Sequence, residues 1–143
     1  MKSTFSQLGE QDALNLYDQL GVENFVSEHT NTQAEVKFLL AIIISKREPE
    51  AAIQLYRQGL RLKQVDGISW YELGDLLAKT DPDAAIEAYL KSCRYGDPGK
   101  HGCYGAGRVA EDQGNIKQAI QYYRKSTWEE ALARADQLEQ TLP

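Results

Sequence analysis

The 143-residue sequence has few cysteines, no long apolar run and no excess of basic residues. Its two cysteines, Cys93 and Cys103, are too few for a disulfide framework and lack metal-ligand spacing. We expect both to be reduced thiols of a cytoplasmic protein. The longest apolar run, Phe38 to Ile44, is far too short to cross a bilayer. The N-terminus has no apolar core of the kind that marks a signal peptide, so we expect none.

The charge balance is acidic, with a formal net charge of −5 and a sequence pI near 5.1. Nucleic-acid binding calls for a basic face, so we expect no nucleic-acid partner. Binding to an anionic membrane surface is disfavoured for the same reason, and we expect no membrane partner. A basic or amphipathic protein partner suits this charge better.

The stretch from Trp70 to Ser92 reads as two short helices joined by a tight turn. Asp81 stands where a helix N-cap is favoured, and Pro82 follows at the first helical position. Gly74 lies on the apolar face of the first helix, where glycine costs about 1 kcal/mol relative to alanine. We therefore expect a neighbouring helix to approach closely at Gly74. The apolar face of the first helix also contains Trp70, Leu73 and Leu77, and that of the second contains Ala85, Ile86, Tyr89 and Ser92.

The same pattern recurs along the chain. An Ala-Ile-x-x-Tyr sequence begins at Ala52, at Ala85 and at Ala119, which are spaced by 33 and 34 residues. In the preceding helices, Leu40-Ala41 and Ala106-Gly107 take the positions of Leu73-Gly74. Three copies at nearly equal spacing predict an internal repeat of helix pairs.

We expect a single all-α domain over residues 1–143. It comprises an N-terminal helical extension (1–31), three helix pairs (32–127) and a C-terminal capping helix (128–143). Capping boxes are predicted at Thr32 with Glu35 and at Thr127 with Glu130. The remaining predicted helices are Gly9–Leu20, Val22–Glu28, a glycine-rich helix His101–Asp112, a helix from Ile116 capped by Asn115, and Trp128–Leu142. Whether residues 116–142 form one helix or two stays open.

These helix pairs resemble the tetratricopeptide repeat family. Trp70, Leu73-Gly74, Ala85 and Tyr89 match its signature positions, whereas the other two copies are degenerate. Sel1-like repeats are the rival, because Tyr122 to Ser126 looks like their second helix. The resemblance implies a short right-handed α-solenoid of helix pairs whose first helices line a concave groove. Such grooves usually bind peptides or helices of other proteins.

We map the groove positions of the family onto this sequence residue by residue. This mapping places an aromatic ring at the equivalent position of each of the three helix pairs. Phe38, Tyr71 and Tyr104 are each 33 residues apart, and an aromatic ladder offers much contact area at low entropic cost. The alternative is that these rings pack between helices or under a terminal segment. The predicted partner-binding residues are Phe38, Ile42, Tyr71, Asp75, Tyr104 and Arg108.

We find no catalytic or metal-binding constellation in the sequence. His101 and Cys103 would face apart on one helix, and nothing nearby completes a metal site. We therefore expect no enzyme activity and no cofactor. The predicted function is a cytoplasmic interaction scaffold or adaptor, with a secretion-type chaperone as a sharper variant. The alternative is a self-associating structural module, a homodimer for instance, formed through the Phe38–Ile44 helix or the N-terminal segment.

Overall fold

The computed structural model describes residues 34–96 and 101–143, together with Asn15, which is helical. The regular structure of these residues is entirely α-helical, as predicted, and we number its helices from the first. They are α1 (Ala34–Ile44), α2 (Pro49–Leu62), α3 (Gly67–Leu77), α4 (Pro82–Arg94), α5 (His101–Asp112), α6 (Ile116–Arg124) and α7 (Glu129–Thr141). The predicted N-terminal helices, apart from Asn15, and the predicted cap at Thr32 lie outside the described residues.

Proline and aspartate start three of the helices. Pro49 and Pro82 each occupy the first turn of a helix, where the missing N–H costs nothing. The carboxylate of Asp66 accepts a hydrogen bond from the backbone N–H of Ser69 at 3.0 Å. The carboxylate of Asp81 does the same for Ala84 at 3.2 Å, which confirms the predicted cap.

The chain divides into two compact units, with the boundary between Gln64 and Val65. In the first unit, α1 packs against α2. Phe38 lies in this contact, with its ring centroid 6.3 Å from that of Tyr56. The buried apolar side chains of this unit include Leu40, Ala41, Ile44, Ala52, Leu55 and Tyr56.

In the second unit, each helix from α3 to α7 packs against the next, and α3 also contacts α5. Ser92 is fully buried here, and its hydroxyl donates a hydrogen bond to the carbonyl of Gly67 at 2.7 Å. This bond satisfies a buried polar group and joins α4 to the start of α3. The core at the C-terminal end of the unit contains Ala110, Ala119, Ile120, Tyr123, Ala131, Ala135 and Leu138.

Glycines face aromatic rings at four of the helix contacts. A methyl group at Gly74 would lie 2.6 Å from Cδ1 of Tyr89, and one at Gly107 would lie 2.5 Å from Cδ1 of Tyr123. Both distances are too short for a real side chain, so the rings lie where only glycine leaves room. Gly59 faces the ring of Phe38 in the same manner. The close approach that the sequence predicts at Gly74 is confirmed.

The C-terminal segment forms two helices, which answers the question that the sequence left open. Helix α6 ends at Arg124, and α7 begins at Glu129 with Trp128 at its N-cap. The predicted capping box of Thr127 with Glu130 is wrong, because the side chain at the N-cap position is an indole and makes no capping hydrogen bond. The predicted side-chain cap at Asn115 is also absent, although Asn115 does precede α6.

The expectation of two reduced thiols is wrong in the structure. Cys93 and Cys103 form a disulfide, and their Cα atoms are 5.2 Å apart. The bond joins the last turn of α4 to the first turn of α5. Both cysteines are buried, because Gly102 lets the two helices approach closely beside them.

Candidate functional site

The six predicted site residues fall in both units, and their environments differ. In the first unit, Phe38 is only 5% exposed and packs against Tyr56 and Gly59, whereas Ile42 is 50% exposed. Phe38 therefore has little surface to offer a partner. The other four residues lie on the neighbouring helices α3 and α5 of the second unit. We call Tyr71, Asp75, Tyr104 and Arg108 the α3–α5 surface.

Aromatic rings run continuously along this surface. The ring of Tyr71 lies 6.5 Å from that of His101, and His101 lies 4.9 Å from Trp128. Trp128 in turn lies 4.8 Å from Tyr104, measured between ring centroids. Trp128 precedes α7, so the start of the capping helix supplies one ring of this row. Tyr71 and Tyr104 are half-buried and His101 is exposed, so the row is partly open to solvent.

Two buried tyrosines lie behind the row and anchor it. Tyr89 packs against Tyr71 with 5.5 Å between ring centroids, and Tyr123 packs against Tyr104 at 5.6 Å. The hydroxyl of Tyr89 donates a short hydrogen bond to the carboxylate of Asp75. Burial of the phenol, helped by this bond to Asp75, raises the pKa of Tyr89 well above its usual value. Tyr89 therefore stays neutral and remains a donor to Asp75.

Glu111 is the centre of a second polar network, on the next turn of α5. It accepts a hydrogen bond from the Tyr123 hydroxyl at 2.9 Å and one from Nε of Arg134 at 3.1 Å. The second nitrogen of this guanidinium, Nη2, also binds the same carboxylate and forms an ion pair with it. The hydrogen bonds from Arg134 lower the pKa of Glu111. Glu111 is therefore ionised and its charge is matched by Arg134.

An open pocket of about 530 Å³ lies beside this network. Its walls come from α5, α6 and α7, and we call it the α5–α7 pocket. The side chains that matter for its chemistry are Tyr104, Arg108, Glu111, Asp112, Glu130 and Arg134. Two of the predicted site residues, Tyr104 and Arg108, thus belong to both the α3–α5 surface and the pocket.

Sequence reasoning missed two residues of this site. Trp128 is not among the predicted site residues, yet its ring joins His101 to Tyr104. Arg134 is not among them either, yet it binds Glu111 of α5 while staying partly exposed. Both contacts depend on where α7 lies relative to α5, and no periodicity within α7 reports that placement.

The structure shows no candidate metal centre within residues 34–96 and 101–143. None of the helices that it describes is long and apolar enough to span a membrane.

Comparison with known protein families finds a match, which covers the third helix pair. Residues 101–127, which cover α5 and α6, match the tetratricopeptide repeat model. These residues form a tetratricopeptide repeat. The match confirms the resemblance seen in the sequence, at the copy that contains Tyr104, Arg108 and Glu111. A search of curated proteins finds no match.

Two solved structures have a similar fold. One crystal structure of MamA superposes with a TM-score of 0.66 at 23% identity, covering 92% of this chain and 81% of that one. A second structure of the MamA protein gives a TM-score of 0.65 at 24% identity, covering 94% and 78%. These two similarities support the predicted helical-repeat fold. The match of residues 101–127 to the tetratricopeptide repeat supports a protein–protein interaction scaffold.

Proposed function

We propose that this protein binds a segment of another protein on the α3–α5 surface. The observation that carries the proposal is the row of four rings from Tyr71 to Tyr104 on the second unit. Aromatic side chains dominate binding energy at protein interfaces because they supply large contact area with few rotatable bonds. Tyrosine and histidine also keep a polar group for hydrogen bonding to a partner's backbone.

The charged residues of the surface support the same use. Arg108 is exposed, and its guanidinium lies 5.9 Å from the ring centroid of Tyr104. Asp75 is exposed and fixed by the Tyr89 hydroxyl. A fixed carboxylate and a guanidinium beside partly exposed rings form a typical polar rim around an aromatic contact area.

The test is capture of partners from a lysate of the source organism, read by mass spectrometry. Wild-type protein is compared with Arg108→Glu, which reverses the charge of an exposed side chain. The matched control is Lys117→Glu, an equal charge change at an exposed position of α6. We expect at least one partner that wild type and the control retain and Arg108→Glu loses. Partners retained equally by all three proteins would contradict the proposed surface.

A secretion-type chaperone is a narrower form of this proposal. It predicts that the captured partner is an exported protein and that the contact covers an apolar segment of it. A captured partner that is not exported would leave the general proposal standing and contradict this narrower form.

Self-association through the Phe38–Ile44 helix is less well supported. Of this segment, Phe38, Leu40, Ala41 and Ile44 are buried, and Ile42 is the most exposed of its large apolar side chains. Light scattering over a concentration series distinguishes the two functions. We expect a mass near the 16.1 kDa of one chain at all concentrations, and a mass that doubles would favour the self-associating module.

A further inference from the structure

The Cys93–Cys103 disulfide lies close to the row of aromatic rings on the α3–α5 surface. Cys103 follows His101 by two residues in the first turn of α5. The ring of His101 joins Tyr71 of α3 to Trp128 at the start of α7. The bond to Cys93 ties this turn of α5 to the last turn of α4. The disulfide therefore fixes the part of the backbone that places the His101 ring in the row.

The two helices leave little space for unbonded sulfur atoms at this point. A methyl group at Gly102 would lie 2.7 Å from the backbone nitrogen of Cys93 and would also collide with the carbonyl oxygen of Tyr89. Both cysteines are buried, and their Cα atoms are 5.2 Å apart. Two thiols keep a van der Waals separation that is much larger than a sulfur–sulfur bond, and a close-packed contact transmits such an expansion to its surroundings. Breaking the bond should therefore displace the first turn of α5 from the end of α4.

The two tyrosines of the row have supports of their own. Tyr71 packs against Tyr89 with 5.5 Å between ring centroids, and Tyr104 packs against Tyr123 at 5.6 Å. These contacts do not involve the disulfide. Reduction should thus take the His101 ring out of the row while the tyrosines stay in place.

We propose that the Cys93–Cys103 pair is a thiol–disulfide exchange site that controls partner binding at the α3–α5 surface, with the oxidised protein as the binding form. The inference rests on the proposed function and adds its regulation. The reductant is a dithiol, such as the two neighbouring cysteines of a disulfide-reducing protein. The sequence predicts a cytoplasmic protein, and disulfides in that compartment are mainly transient, catalytic or redox-sensing. Oxidation holds the row in one arrangement, which lowers the entropic cost of binding a partner.

Reduction consumes one dithiol and yields two protein thiols. A thiolate of the dithiol attacks Sγ of Cys93, which is 8% exposed against 1% for Cys103, and forms a mixed disulfide with it. The bond between the two cysteines breaks, and Sγ of Cys103 leaves with the electron pair and takes a proton from water. The second thiol of the reductant then attacks the reductant's own sulfur in the mixed disulfide, which releases Cys93 as a thiol and closes the reductant's disulfide. Two electrons and two protons pass from the dithiol to the protein.

The first experiment follows Trp128 by fluorescence. The chain has two tryptophans, so Trp70→Phe leaves Trp128 as the single reporter. Quenching by acrylamide is measured on the full-length protein before reduction, in dithiothreitol, which is a small dithiol, and after reoxidation. We expect reduction to increase the quenching and reoxidation to restore it, because Trp128 loses its contact with His101.

Two variants supply the controls. In the same background, Cys93→Ser with Cys103→Ser has no bond to reduce, so dithiothreitol should leave its signal unchanged. Trp128→Phe leaves Trp70 of α3 as the single reporter, and we expect a smaller change there. An unchanged Trp128 signal, or an equal change at both tryptophans, would overturn the inference.

Hydrogen exchange on the wild-type protein makes the same test without a substitution. Peptides from the first turn of α5 should exchange faster in dithiothreitol than in the oxidised protein, and peptides from α6 should keep their rates. Equal rates for α5 in both redox states would overturn the inference.

Capture from lysate connects the redox state to binding. The baits are oxidised wild type, the Cys93→Ser, Cys103→Ser variant as a mimic of the reduced form, Arg108→Glu and Lys117→Glu. Thiol titration after capture checks that wild type has stayed oxidised. We expect the serine variant to capture about tenfold less of the partner that depends on Arg108, the loss expected when an aromatic contact is removed.

The outcomes separate this inference from the proposed function. A partner that Arg108→Glu loses and the serine variant retains would overturn the redox control and leave the α3–α5 surface standing. Partners captured equally by all four baits would contradict the proposed function, and with it the control of binding. A partner that is lost by both Arg108→Glu and the serine variant, and retained by Lys117→Glu, would support both.

Discussion

Tyr89 shows how single residues set the geometry of the second unit. Its ring is 5% exposed and lies between two glycines, Gly74 of α3 and Gly105 of α5. A methyl group at Gly105 would lie 2.9 Å from Cδ1 of the same ring. The hydroxyl is held by Asp75, so the ring is fixed at both faces and at its tip. One side chain thus positions α3 and α5, the two helices that present the proposed binding surface.

Gly74→Ala tests this arrangement. The added methyl group would lie 2.6 Å from Tyr89, and Gly105 leaves the ring no space on its other side. We expect a loss of about 1–3 kcal/mol in unfolding free energy by urea denaturation, the usual range for overpacking. This loss should appear although alanine is favoured over glycine by about 1 kcal/mol in a helix.

The control is the same substitution in a Tyr89→Leu background. There the methyl group meets a smaller side chain, and Gly74→Ala should be neutral or stabilising relative to Tyr89→Leu alone. An equal loss in both backgrounds would show that the Tyr89 ring is not the obstacle.

The contribution of Glu111 to folding stability depends on pH. Its pKa is lowered in the folded protein, chiefly by hydrogen bonds from Arg134. A carboxyl group with a lowered pKa contributes stability above its unfolded pKa, and this stability is lost as the pH falls through the folded value. We expect Glu111→Gln to be less stable than wild type at neutral pH. The difference should shrink as the pH falls from about 5 towards 3, below the usual glutamate pKa.

Urea unfolding at a series of pH values measures this effect. Glu129→Gln is the control, because Glu129 is exposed and lies outside the Glu111 network. A stability difference for Glu111→Gln that stays constant from neutral to acid pH would assign the effect to packing, not to the charge of the carboxylate.

At the scale of helices, periodicity and caps predict much of what the structure shows. The repeated Ala-Ile-x-x-Tyr places Ala52, Ala85 and Ala119 in the core, and each is fully buried. Even α5, with three glycines and poor helix propensity, forms as predicted, because Gly102, Gly105 and Gly107 lie at close contacts with α4 and α6. Local patterns suffice here because each repeat packs mainly on its neighbours in sequence.

What the sequence could not predict depends on how two helices cross. Cys103 stands 33 residues after Trp70, the signature aromatic position, and appears there as a simple departure from the pattern. Its pairing with Cys93 follows from the close approach that Gly102 allows between α4 and α5. The Arg134–Glu111 pair likewise requires that α7 bring Arg134 beside Glu111 of α5. Neither arrangement leaves a periodic signal within a single helix.

The prediction at the scale of helices concerns the stability lost when the disulfide is removed. Cys93 and Cys103 are separated by 10 residues in sequence. Closing a loop of this size in the unfolded chain stabilises a folded protein by about 2–3 kcal/mol. We expect the Cys93→Ser, Cys103→Ser double variant to lose about this much unfolding free energy relative to oxidised wild type.

Thiol titration and reduction supply the controls. Unfolded wild-type protein kept from reductant should show no free thiol, and wild type in dithiothreitol should approach the stability of the double variant. Two titratable thiols in unreduced protein, or equal stability of oxidised wild type and double variant, would contradict the disulfide.

At the scale of the whole molecule, the boundary between Gln64 and Val65 separates the predicted site residues. Phe38 and Ile42 belong to the first unit, and the α3–α5 surface belongs to the second. A single domain over residues 1–143 stays a prediction. In a stack of repeats, stability is the sum of repeat and nearest-neighbour contributions, so a local defect need not spread to distant repeats.

Hydrogen exchange on the Gly74→Ala variant tests whether the two units open together. The substitution acts where α3 meets the Tyr89 ring of α4, so peptides from α3, α4 and α5 should exchange faster than in wild type. We expect peptides from α1 and α2 to keep their wild-type rates, because the contacts of the α1–α2 core involve neither Gly74 nor Tyr89. The control is Gly74→Ala in the Tyr89→Leu background, compared with Tyr89→Leu alone, because there the added methyl group meets a smaller side chain. Equal acceleration in α1, α2 and α3–α5 would instead mean that the chain opens as one cooperative unit, as the single-domain prediction requires.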